Sequence, residues 1–226
     1  DFLRNSIDRL PAYEALALMA ADLAELRGRT GEAIALLRRA INKDSENIRL
    51  WARLAVTGRW GETLSLAHEA ANKALELAED ADPPLRALAL CADAHVKCNG
   101  GDIAGAEKTF RDVLQLIPCF VPALSGLGNL LVQKGQLEEA ISCFQQVRAA
   151  APLQGWSQLI RVREVPEDHK ILEDMERLAH QPGLEGPVRS GLLFTLAEAW
   201  DRKKDYDRAM KTAQEANEAS QRHLVY

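Results

Sequence analysis

Four residues, Ala106, Phe110, Val113 and Pro118, recur thirty-four positions later as Ala140, Phe144, Val147 and Pro152. No other feature of the chain constrains its fold as strongly, because self-similarity at a fixed period marks a repeat architecture. The clearest copy spans Val121 to Pro152. Leu124, Leu127, Gly128 and Leu131 fall at i, i+3, i+4 and i+7, one face of a helix. Lys134-Gly135 stops that helix, since Gly takes the left-handed backbone that ends it. Leu137, Ala140, Ile141, Phe144 and Val147 make a second apolar face, and Pro152 blocks its continuation. Two helices this short cannot bury their own apolar stripe, so the fold requires copies beside them.

The rest of the chain supplies the copies. Residues 14–154 read as four units, the second irregular around Gly58-Arg59-Trp60-Gly61 and ended by Pro83-Pro84. Residues 155–189 read as a degenerate unit, with a break at Val165-Pro166 and a stop at Gln181-Pro182-Gly183. Residues 190–226 form a last regular unit and tail, with Leu193, Leu196, Ala197 and Trp200 ahead of Tyr206, Ala209, Ala213 and Ala216. Residues 1–13 read as the tail of a preceding repeat or as a capping helix. Small residues such as Ala21, Ala33, Gly128, Ala140, Ala197 and Ala209 allow two helix backbones to approach, and Phe110, Phe144 and Trp200 fill the space between units.

Composition narrows the function. Aromatics are 5% of 226 residues and the net charge is −5. Few strand-forming residues favour an all-α fold, and an acidic chain without a Lys/Arg stripe excludes nucleic acid as the expected partner. No apolar run approaches the roughly 18 residues that span a bilayer, so no membrane association is expected. Cys91, Cys98, Cys119 and Cys143 form no C-x-x-C pair, and reduced thiols suit a cytoplasmic protein.

A thirty-four-residue helix–turn–helix unit with Leu124, Leu127-Gly128, Leu131, Gly135, Ala140, Phe144, Val147 and Pro152 at these spacings resembles the tetratricopeptide repeat. The resemblance implies a right-handed superhelical solenoid whose first helices line a concave groove that binds a protein or peptide. It implies groove positions at Ala15, Leu18, Asp22 and Glu25, then Arg49, Ala52, Val56 and Arg59. The next positions are Leu88, Cys91, His95 and Cys98, then Pro122, Ser125, Asn129 and Val132, and last Phe194, Glu198 and Asp201. Of these, Asp22, Arg49, Arg59, His95, Ser125, Asn129 and Glu198 are the candidate partner contacts. Asn129 leads, because an amide both donates and accepts and so can bond a peptide backbone of any sequence. Some relatives clamp a terminal carboxylate with Lys, Arg and Asn. The corresponding positions here hold Leu18, Asp22, Arg53, Leu88 and Ala92, which does not match.

Leu192 to Tyr226 is also similar to the last repeat of bacterial tetratricopeptide–sulfotransferase fusions, on Phe194, Leu196, Ala199, Tyr206, Ala209 and Ala216-Asn217. That resemblance implies a non-catalytic arm of a sulfotransferase-like enzyme whose catalytic domain lies outside this chain. Gly126-Leu127-Gly128 sits within a helix and lacks a following Lys, so it is no phosphate loop. Cys91, His95 and Cys98 share a helical face and could offer zinc three ligands. Without a fourth ligand, small buried residues are the better reading of them, and no metal or other cofactor is expected. Glu138-Glu139 reads as a solvated face, and the five histidines stand apart from any nucleophile motif. The chain therefore reads as a non-enzymatic interaction module, with the sulfotransferase arm as the alternative.

Overall fold

A computed structural model of the protein describes residues 14–58 and 63–221. Among these residues there are twelve helices and no strand. They are α1 (Glu14–Leu26), α2 (Thr30–Ile41), α3 (Ile48–Thr57), α4 (Leu64–Leu77), α5 (Pro83–Asn99) and α6 (Ile103–Leu116). They continue as α7 (Val121–Gln133), α8 (Leu137–Ala150), α9 (Pro152–Arg161), α10 (His169–Ala179), α11 (Gly186–Arg202) and α12 (Tyr206–Gln221). The expected tail or cap at 1–13, and Arg59, Trp60 and Gly61 of the irregular unit, lie outside the described residues.

Local chemistry explains where the helices start and stop. Asn47, Asp82 and Asp102 each accept a backbone N–H three residues on, from Leu50 (3.2 Å), Leu85 (3.0 Å) and Gly105 (2.9 Å), and so cap α3, α5 and α6. Gly135 takes φ 76 after α7, a left-handed conformation that a side chain would resist. Lys204 holds the same kind of turn between α11 and α12 at φ 64 without being glycine. Two helices begin earlier than the sequence pattern suggests: α9 at Pro152 rather than near 155, and α11 at Gly186 rather than near 190. Proline explains both. Pro152 and Pro187 sit in first turns, where the missing N–H would have had no helical partner anyway. Pro152 thus ends one helix and opens the next.

The described residues divide into two compact units, one of residues 14–24 and 30–136 and the other of 25–29 and 137–221. In the first unit α3 packs on α4 and on α5, and α5 packs on α6 and on α7. The first helices α3 and α5 thus each touch their own partner and the first helix of the next pair, which is how stacked repeats share a core. Alanine dominates the floor of that core, with Ala17, Ala21, Ala33, Ala40, Ala55, Ala67 and Ala74 all fully buried. Phe110 of α6 is fully buried too. Its ring lies so close to Gly126 of α7 that a Cβ there would fall 2.4 Å from two ring carbons. In the second unit α8 packs on α9, α9 and α10 pack on α11, and α11 packs on α12. Ile160, Leu172, Met175, Leu193, Leu196 and Trp200 form its core. A Cβ on Gly155 of α9 would fall 2.3 Å from the Arg148 Cα, so only glycine allows α8 and α9 to cross as they do.

Candidate binding groove

In the first unit, α1, α3 and α5 each turn one stripe of side chains toward a common cavity of about 490 Å³. Leu18 and Asp22 come from α1, and Arg49, Ala52, Arg53 and Val56 from α3. Leu85, Leu88, Cys91, Ala92 and His95 come from α5, and Phe120 and Pro122 close the end at the start of α7. The spacing within each helix is that of neighbours on one face. Ala52, Cys91 and Ala92 are the buried floor of this stripe, and Leu18, Asp22, Arg49, Arg53, Val56, Leu88 and His95 stand more open above the stacked core.

The polar groups of the groove are tied to one another. Arg53 Nη2 donates to Asp22 Oδ1 at 2.7 Å, joining α3 to α1. Arg49 Nε stands 3.6 Å from Glu14 Oε1, a second ion pair between the same helices. Glu14 is held from its other oxygen by Asn47 Nδ2 at 3.0 Å. His95 sets its ring edge-on to Phe110, with centroids 5.2 Å apart at 74°. Burial pushes the Cys91 thiol up to about 12, and burial raises Cys98 also.

Nine positions implied by the family geometry line this cavity: Leu18, Asp22, Arg49, Ala52, Val56, Leu88, Cys91, His95 and Pro122. The other candidates stand elsewhere. Ser125 is only 9% exposed, because α7 turns residues 123–128 into the packing with its neighbours. Asn129, one turn further on, is half-buried and is not among the cavity walls. Glu198 belongs to the second unit, where it accepts from Arg202 Nη2 at 2.9 Å. Arg59 lies outside the described residues. Arg53 and Ala92, which the carboxylate-clamp comparison also places in the groove, line the cavity, and the structure adds Pro84, Leu85 and Phe120. Offsets from the core stripe miss Phe120 because it sits in the connector ahead of α7.

Cys91, His95 and Cys98 share the α5 helix as their spacing predicts. Among the described residues no three His, Cys, Asp or Glu side chains are placed to hold an ion. Cys91 is 2% exposed, burial favours its protonated thiol, and the His95 ring packs edge-on against Phe110.

A second cavity of about 390 Å³ lies in the second unit. Pro152, Leu153 and Trp156 of α9 and Ile171 and Leu178 of α10 form its apolar walls. Arg148 stacks 4.9 Å above the Trp156 ring, and Arg177 pairs with Asp174 beside it. Among the described residues no helix is long and apolar enough to cross a membrane.

Paired helices that share a core with neighbouring pairs, and that in the first unit turn their first helices toward a groove, define an all-helical repeat architecture. The comparisons agree. Residues 100–160 match the tetratricopeptide repeat family. The fold is similar to a tetratricopeptide repeat protein from Parabacteroides merdae ATCC 43184, with TM-score 0.50 and 19% identity, covering 92% of this chain and 80% of that one. It is also similar to a chain of the APC/C hetero-tetramer Cut9–Hcn1, with TM-score 0.52 and 16% identity, covering 96% of this chain and 49% of that one. At these identities the likeness concerns the fold. An uncharacterized protein of Aquifex aeolicus (strain VF5) is 28% identical over 125 residues. That match takes in 54% of this chain and 16% of the relative's length.

Proposed function

We propose that the chain is a protein-interaction module and that the groove of its first unit takes up a segment of a partner protein. The observation that supports this most is the cavity itself. It is apolar for most of its lining, it crosses three successive first helices, and its size is within the range of about 300–1,000 Å³ usual for binding sites. Tetratricopeptide-repeat folds are generally non-catalytic and commonly bind proteins or peptides, and two such structures share this fold. Asn129 and Ser125 are secondary in this reading, because neither lines the cavity. The sulfotransferase-arm alternative rests on the Leu192–Tyr226 resemblance and gains no support from the matches above.

The test is selection of a displayed random peptide library on the intact chain, followed by fluorescence anisotropy with the recovered peptides. Leu88→Glu puts a charge on the apolar wall and should weaken binding at least about tenfold, since the carboxylate would lose its water on complex formation. Leu153→Glu, in the other cavity, should leave affinity unchanged. Equal binding to wild type and Leu88→Glu would remove the groove from consideration.

A further inference from the structure

We infer that Glu14 and Asp22 act as a specificity filter: by neutralising Arg49 and Arg53 they make the groove select an uncharged, apolar segment of the partner protein. This rests on the groove being the binding site. The two arginines are cations on the cavity wall, and in an acidic chain they would by themselves attract a carboxylate. Each is answered from α1. Asp22 takes a direct charge-assisted hydrogen bond from Arg53 at 2.7 Å. Glu14 stands 3.6 Å from Arg49 and is oriented by the Asn47 amide, which also caps α3 through its Oδ1.

Among the described residues, the other titratable side chains on the cavity wall are Cys91 and His95. The Cys91 thiol is held protonated, and His95 packs on Phe110. Among the described residues, the two wall arginines are thus matched by Asp22 on the wall and Glu14 beside it. An entering carboxylate would meet Asp22, whose side chain is 58% exposed, and would have to displace it from Arg53, whose side chain is only 23% exposed. What is left unopposed is the wall of Leu18, Val56, Leu85, Leu88 and Phe120. Rejection of the wrong partner by like charge is a recognised route to specificity. Here the like charge is Asp22, which shields Arg53 from an entering carboxylate and spares aliphatic and aromatic side chains.

The experiment runs the displayed-library selection on two forms of the full chain, wild type and Glu14→Gln/Asp22→Asn. The amide replacements keep shape and hydrogen-bonding capacity while exposing both arginines electrostatically, and melting curves confirm that the variant folds. Wild type should recover peptides that are apolar and carry no charge in the segment protected by the groove. Their affinity should change less than about threefold when salt is raised beyond the point where the screening length falls to about 3 Å. The double variant should recover acidic peptides whose affinity falls at least about tenfold over the same range. Acidic, salt-sensitive peptides on wild type, still lost in Leu88→Glu, would overturn the filter and leave the groove standing. The same uncharged peptides on both forms would show that the two acids are not what sets the preference. A wild-type pool indifferent to Leu88→Glu would instead sink the groove reading, and this inference with it. A concentration-dependent dimer abolished by Leu88→Glu would identify a second copy as the occupant and also overturn the proposal.

Discussion

Replacing Gly126 by alanine should destabilise the protein, although alanine is the better helix former, and the sign of the effect should reverse when one other residue is changed. Gly126 lies inside α7, where Gly→Ala normally gains about 1 kcal/mol. Here the new methyl would stand 2.4 Å from both Cε1 and Cζ of Phe110 and 3.1 Å from Cε2. Carbon atoms rest about 3.5–4.0 Å apart, so the ring would have to retreat by more than about 1 Å. It cannot do so freely, because Phe110 is fully buried and its ring is already in contact with His95. Overpacking of this kind costs about 1–3 kcal/mol. Set against the propensity gain, the net loss is up to about 2 kcal/mol. Phe110→Leu removes the three ring atoms that the methyl would meet. By itself it should cost about 2 kcal/mol in lost transfer energy and residual cavity. In that background Gly126→Ala fills space and should stabilise by about 1 kcal/mol. Urea unfolding of the wild type, both single variants and the double variant, followed by far-ultraviolet circular dichroism, gives the cycle directly. If Gly126→Ala shifts the midpoint by the same amount in both backgrounds, the Gly126–Phe110 contact is not what demands glycine, and the packing argument fails.

Two further predictions concern charge and thiol chemistry. Glu107 of α6 accepts a hydrogen bond from Lys134 at 2.5 Å and from Arg111 at 3.0 Å; the Lys134 bond foremost, with that from Arg111, holds its carboxyl below the usual range. A lowered pKa gives stability that is present above the unfolded-state value near 4.3 and is lost as pH falls through the folded value. Glu107→Gln should therefore be less stable than wild type in urea at pH 7. The two should converge as the pH is taken below about 4, and a gap independent of pH would refute the pairing. Among the four cysteines, Cys119 is exposed, Cys98 is half-buried, and Cys91 and Cys143 are buried. A colorimetric thiol reagent at neutral pH should modify Cys119 first and Cys91 and Cys143 only on unfolding, as peptide mass mapping would show; early labelling of Cys91 would contradict its burial.

Much of the repeat pattern was legible in the chain because it is written in periodicity. Ala106, Phe110 and Val113 repeat as Ala140, Phe144 and Val147, and each is fully or almost fully buried. A thirty-four-residue helical unit has to place such residues on the faces that stack, whatever its surface carries. Offsets from that stripe also reached most of the cavity wall, since a side chain one residue along from the core face is rotated by about 100° away from it. Only the tertiary structure decided the rest. Gly126 looks like a weak helix residue until the Phe110 ring of another helix is set against it. Ser125 and Asn129 look like groove contacts until α7 is packed on α5 and α6, which turns one inward and leaves the other off the cavity. Glu14 and Arg49, and Asp22 and Arg53, are thirty or more positions apart, and no local spacing says that they meet. Periodicity is a property of one helix and can be counted along the chain. The pairing of charges and the clash of a methyl with a ring depend on distances between helices, which exist only once the repeats have stacked.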